Sequence, residues 1–186
     1  MKKDLARRIG LIVEIVNEAT EPVGRTAMMK LLYFLFAVKK VDVGYQFTLY
    51  SYGPFDSNVL ADMEYATEIE AVKSKKKWYS TGLGYELELG SKANLALKWD
   101  KAFVQSVRPS VKWAVESFGQ MSAADLELAS TIVFAERRFR LDSQKLSKSL
   151  LAMKVREIKP NFSEARILAQ IESLRTKSVI GNLAAN

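Results

Sequence analysis

Cysteine and histidine are both missing from this 186-residue chain. Without cysteine there is no disulfide framework, no thiolate zinc site and no nucleophilic thiol, and nothing points to an oxidising compartment, so the cytoplasm is the default expectation. Without histidine the chain lacks the residue that most often serves as general base near neutral pH and as nitrogen ligand for zinc, copper or iron. Ser-His-Asp, Cys-His and histidine-rich metal chemistries are thereby excluded. Long hydrophobic runs are missing too. The longest uncharged apolar stretch is Leu31 to Val38, well short of the roughly 20 residues a bilayer span requires. Lys2, Lys3, Arg7 and Arg8 ahead of Ile9 to Val16 imitate a targeting segment. Glu14 interrupts that run, however, and no small-residue cleavage site follows, so the expectation is an amphipathic core helix and no membrane partner.

What is present is enough apolar material for a core: 48% of residues are hydrophobic, which at this length suits one large domain or two small ones without staples. The net charge is +7 and the sequence pI is near 9.5, a balance that favours polyanionic partners such as nucleic acid.

Leu5, Ile9, Ile12 and Val16 recur at helical spacing and predict a helix from about Asp4 to Ala19 with one buried stripe, ended by Pro22 and Gly24. A second helix is expected from Thr26 as N-cap, with Met28, Leu31, Leu32, Leu35 and Phe36 inward. Tyr45, Phe47 and Leu49 then alternate with polar neighbours as a strand would, and Gly53 and Pro54 end it. Asp56 or Ser57 caps a third helix bearing Val59, Leu60, Met63 and Ala66. Ala71 to Tyr79 and Tyr85 to Leu89 read as a β-hairpin around a Ser80 to Gly84 connector. Beyond it the periodicity is helical. Pro109 is expected to break Ala93 to Phe118 into two helices, Ser122 and Asp125 form a capping pair, a helix follows Asp142, and Ser163 caps the last one, with Ile167, Ile171 and Leu174 inward. Residues 178–186 should fray.

The expected fold is therefore α+β and mostly helical. Its N-terminal half, residues 1–90, has the helix-helix-strand-helix-hairpin order of a winged-helix-like unit, and a helical region over 91–177 packs against it. In that arrangement the strand at Tyr45 to Ser51 joins the hairpin in one antiparallel sheet.

Three stretches carry a resemblance beyond periodicity. Gly24, Arg25, Thr26 and Lys30 to Leu35 are similar to the opening block of the YwgA-like proteins, which are related in pattern to the SocA-like antitoxins called Panacea domains. Gly44, Tyr45, Phe47, Tyr50 to Phe55 and Val59 resemble the same family's Tyr-Gly-Pro block, and Lys159, Pro160, Phe162 and Ser163 resemble its late helix start. The resemblance implies a mostly helical, winged-helix-like fold in a prokaryotic mobile-element or defence setting. For Panacea antitoxins it implies direct binding of a toxin.

The candidate nucleic-acid-binding residues are Lys73, Lys75, Lys76 and Lys77 on the first hairpin strand, beside Trp78 and Tyr79, together with Arg137, Arg138 and Arg140 around Phe139 in a loop-like stretch. The same lysines describe a solvated edge strand protected against edge pairing, and the same arginines describe a helix C-terminus. Candidate partner-binding residues are the aromatic set Tyr33, Tyr50, Tyr52, Pro54 and Phe55, which could equally lock a turn into the core, with Asp62 and Glu64 on the third helix. That helix has acids and no Lys or Arg, which opposes its approach to phosphates. An enzyme would have to draft Glu70 with Lys73, or Glu86 with Glu88, as a metal-dependent nuclease, and the spacing is generic. The expectation is a non-catalytic regulatory binding module, associated with nucleic acid, without cofactor or metal. A protein-directed antitoxin or adaptor is the alternative.

Overall fold

The computed structural model describes residues 3–79, 82–141, 146–181 and 183. In chain order the elements are α1 (Lys3–Glu18), β1 (Val23–Gly24), α2 (Arg25–Ala37), β2 (Thr48–Tyr50), β3 (Gly53–Phe55), α3 (Ser57–Glu68), β4 (Val72–Tyr79) and β5 (Gly82–Leu89). Then come α4 (Ala93–Ala96), α5 (Lys101–Phe118), α6 (Ala123–Leu141), α7 (Lys148–Ile158) and α8 (Glu164–Thr176). The chain is α+β and mostly helical, with antiparallel pairing: a three-stranded sheet has the order β1-β5-β4, and β2 and β3 form a separate two-stranded ribbon. Two compact units divide it, one of residues 1–48 and 55–121, the other of residues 49–54 and 122–186. Helices α4 and α5 thus belong with the first unit.

In the first unit α1 is the central element. Every residue from Ile9 to Val16 is buried, not one stripe alone, because α5, α3, α2 and β5 all pack on this helix. Gly10 permits the approach of α5, since a Cβ there would lie 3.0 Å from Val104 Cγ2. Glu14 sits in the middle of this apolar run with no exposure, and α5 supplies its counter-charge: Arg108 donates to both carboxylate oxygens, at 2.5 and 3.2 Å. Arg7 pairs with Asp100 at 2.9 Å. Phe34 of α2 stacks on Phe118 of α5 with ring centroids 3.9 Å apart.

Several sequence expectations need correction. The strand expected over Tyr45 to Ser51 is only Thr48–Tyr50, and it pairs with β3 rather than with the hairpin. Gly53, at φ +85°, turns the chain back where a simple strand end was expected. The third strand of the hairpin sheet is Val23–Gly24, with Val23 opposite Leu87, a two-residue segment too short to announce itself by alternation. Helix α2 starts at Arg25 with Gly24 as N-cap, without a side-chain cap from Thr26. Pro109 lies inside α5 and does not break it. The break falls earlier, at Asp100, whose carboxylate caps Phe103 N–H at 3.2 Å. Pro109 is tolerated because the carbonyl it leaves without a donor belongs to exposed Gln105.

In the second unit α6 packs on α7 and α8, and α7 on α8. Ser122 and Asp125 form the expected reciprocal cap, and Ser147 and Ser163 cap α7 and α8. Ile167, Ile171 and Leu174 are fully buried. Arg137, Arg138 and Arg140 are in the last turns of α6, not in a loop, as the helix anchored by the unbroken buried run Leu128 to Val133 continues through them. Ser80, Thr81, Asp142 and part of the tail lie outside the described residues.

Candidate functional site

Strand alternation divides the β4–β5 hairpin into two chemically different faces. Residues directly opposite in an antiparallel pair project to the same side, so the register assigns one face to Lys73, Lys75, Lys77 and Tyr79 with Glu88, Glu86, Gly84 and Gly82. On that face two of the three lysines are neutralised, and Lys73 at the base of the hairpin is exposed without an ion-pair partner among the described residues. Lys75 pairs with Glu88 at 2.6 Å and Lys77 with Glu86 at 2.6 Å, while Tyr79 donates to Glu86 at 2.7 Å. Burial raises the Glu86 carboxyl, but the hydrogen bonds from Lys77 and Tyr79 outweigh it and hold the group below its usual value. The Tyr79 hydroxyl is pushed up to about 12 by burial and by Glu86. Gly84 makes this closure possible: any Cβ there would come within 2.6 Å of the Tyr79 ring.

The opposite face holds Val72, Ser74, Lys76 and Trp78 with Leu89, Leu87, Tyr85 and Leu83. Val72 and Leu87 anchor its base in the core, whereas Trp78 at the far end is 79% exposed and Leu83, directly across from it, 43%. Lys76 is exposed and has no ion-pair partner among the described residues. Arg25, the first residue of α2, lies over the Tyr85 ring at 4.4 Å. Among the described residues of β4 and β5, no carboxylate projects from this face. Since β4 is at the edge of the sheet, its lysines also serve the protective role that edge strands require.

Helix α3 divides its acids between two roles. Asp62 is buried, accepting from Arg8 at 2.7 Å and from the Tyr45 hydroxyl at 2.8 Å. Burial, and then Asp62 itself, push the Tyr45 hydroxyl far above its ordinary range. Asp62 is therefore a cross-brace of α1 and α3, not the rim charge expected of it. Glu64 and Glu68 are exposed with Ser57, Asn58 and Ala61, and no cation of α3 accompanies them.

The aromatic set separates in the same way. Tyr33 is buried, edge-on to Phe47 at 5.3 Å, and Phe55 is half-buried. In the second unit Pro54 is buried, while Tyr50 and Tyr52 at the ribbon tip are 63% and 75% exposed. This tip is fixed by Lys159, whose side chain is only 6% exposed: its ammonium donates to the Ser51 carbonyl and pairs with Glu127 at 2.5 Å. A Cβ on Gly53 would lie 3.1 Å from both Ser130 Oγ and Thr131 Oγ1, so the tip is seated closely on α6. Two stretches remote in sequence, the Tyr-Gly-Pro block and Lys159, thus form one structure.

The arginines at the end of α6 are less uniform than their clustering suggests. Arg140 pairs with buried Glu136, which also accepts from Gly181 N–H at 3.3 Å. Arg137 is half-buried and Arg138 exposed. Of the drafted carboxylates, Glu86 and Glu88 are each taken by a lysine, and exposed Glu70 accepts from Ser91 at 2.6 Å. Among the described residues no group of three metal-ligating side chains converges, and no helix is long and apolar enough to cross a membrane. Sequence reading passed over Arg25, Leu83 and Lys159 as site residues; a period-2 tally of β4 and β5 would have paired Leu83 with Trp78. No protein-family model and no curated protein matches the chain.

Proposed function

We propose that this chain is a non-catalytic regulatory binding module of winged-helix-like design that associates with nucleic acid. The observation that carries the reading is the two-faced hairpin, with two of the three lysines of one face held by its glutamates and the other face combining Trp78, Tyr85, Lys76 and Arg25 with no carboxylate from the described residues of β4 or β5. Cations and rings on one surface are the chemistry by which phosphates are held and bases contacted. The order α1, β1, α2, α3, β4, β5, interrupted by the β2–β3 ribbon between α2 and α3, with sheet order β1-β5-β4, is compatible with a winged helix in which this hairpin is the wing. The resemblance to YwgA-like proteins points to a prokaryotic mobile-element or defence setting. Helix α3 is not the reader in this proposal, since Glu64 and Glu68 would face the phosphates.

The test is a binding titration with duplex and single-stranded oligonucleotides at several salt concentrations. Association that weakens as salt rises, with a log–log slope of several units, supports the reading. No binding to either form at about 50 mM salt refutes it.

A second reading is favoured by one separate observation. Tyr50 and Tyr52 are displayed on a tip fixed by Lys159, and pre-positioned tyrosines are typical anchors for a protein partner. An antitoxin or adaptor would lose its partner on Tyr50→Ala with Tyr52→Ala, while oligonucleotide binding stayed unchanged.

A further inference from the structure

The nucleic-acid reading leaves open which form is bound and which of the clustered lysines takes part. From the two faces of the hairpin we infer that the ligand is a single strand, with an unstacked base on Trp78 and phosphates held by Lys76 and Arg25. The inference rests on the reading above and deepens it.

Clustering in sequence presents Lys75, Lys76 and Lys77 as one basic patch, but alternation sends Lys76 to the face opposite the other two. Glu86 and Glu88 already occupy Lys77 and Lys75, so bringing phosphates to that face would set them against two carboxylates. Lys76 and Arg25 have no such competitors on their own face. Next, Trp78 is two residues beyond Lys76 on the same side of the strand, roughly 7 Å away at the rise of an extended chain, and its ring is largely uncovered. Leu83 flanks the ring from the partner strand. An exposed ring beside unneutralised cations fits a base that has left its stack, and a single strand offers such bases without the energetic cost of opening a duplex. Finally, Arg25 is held over Tyr85, directly across from Lys76, so the two cations stand level on neighbouring strands with the Trp78–Leu83 pair next along the hairpin, a cationic platform beside a stacking ring.

The experiment is fluorescence anisotropy with a labelled mixed-sequence single strand and the matching duplex, using the full chain. Parent protein should prefer the single strand. Trp78→Ala should weaken that binding about tenfold or more, and Trp78→Phe, which keeps a ring, should retain most of it. Lys76→Ala should reduce the salt slope by about 0.7, the value for one phosphate contact on a single strand. Lys75→Ala with Lys77→Ala should stay within about twofold of parent at matched salt, because those cations are already paired. Trp78 is exposed, so its removal should leave the thermal midpoint near that of parent.

Preference for duplex, or unchanged single-strand binding by Trp78→Ala, overturns the inference and leaves the nucleic-acid reading standing. Loss on Lys75→Ala with Lys77→Ala equal to that on Lys76→Ala also overturns it. Absence of binding to either form overturns both.

Discussion

Replacing Lys159 by methionine should loosen the tyrosine tip, and the structure sets the scale of the effect. Methionine retains the apolar stem and deletes the ammonium. Two interactions go with it: the hydrogen bond to the Ser51 carbonyl and the ion pair with Glu127. A charge-assisted hydrogen bond contributes about 1.5–3 kcal/mol, and stranding one partner of a fully buried pair costs about 3–5 kcal/mol. Neither figure applies in full. The Glu127 side chain retains 19% exposure and Ser51 is exposed, so water can solvate both remnants. The expected loss is about 3 kcal/mol, or roughly 6–12 °C in thermal midpoint for a chain of this size. Amide hydrogen exchange should rise at Ser51 and Tyr52. Combining Lys159→Met with Glu127→Met should recover much of the stability, because no half-buried carboxylate is then left without its cation. A single variant as stable as parent, with unchanged exchange at the tip, would refute the view that Lys159 holds it in place.

Gly53→Ala meets a left-handed backbone and two hydroxyls at 3.1 Å, and chemical denaturation should show a loss of about 2 kcal/mol. No such loss would mean that α6 yields more readily than close packing implies. Tyr45→Phe should cost stability below pH 10, where it removes a donor from buried Asp62, and should flatten the alkaline profile. The native hydroxyl holds its proton above the ordinary value of 10.0, whereas the unfolded chain releases it there, so this group's contribution is present below pH 10 and declines as pH rises. Parent should lose up to about 1.4 kcal/mol more per pH unit above 10 than the phenylalanine variant. Parallel alkaline profiles would show that the raised value is not linked to folding.

Much of the local structure was legible before any coordinates. Asp56, Ser122 with Asp125, and Ser163 all cap where their side chains indicate, because an N-cap is a contact between near neighbours in the chain. The α8 stripe and the β4–β5 hairpin were legible for the same reason. Pro109 misled because a proline's effect depends on whether the carbonyl it leaves without a donor can reach water, and that is a matter of burial.

The site was harder to read, as its chemistry depends on which distant charges meet. Composition alone determined that no thiol or imidazole chemistry is available and that the chain is strongly basic. Residue order determined a mostly helical α+β chain and a lysine-rich hairpin strand with aromatics beside it. Only the tertiary structure decided that Asp62 turns inward to Arg8 and Tyr45, that Lys159 seats the tip bearing Tyr50 and Tyr52, and that β1 completes the sheet. Strand register decided the rest: it gave Lys75 and Lys77 to glutamates and left Lys76 with Trp78. The physical reason is that charge is a property of a residue, whereas neutralisation and exposure belong to pairs and surfaces, which exist only once segments far apart in the chain have come together.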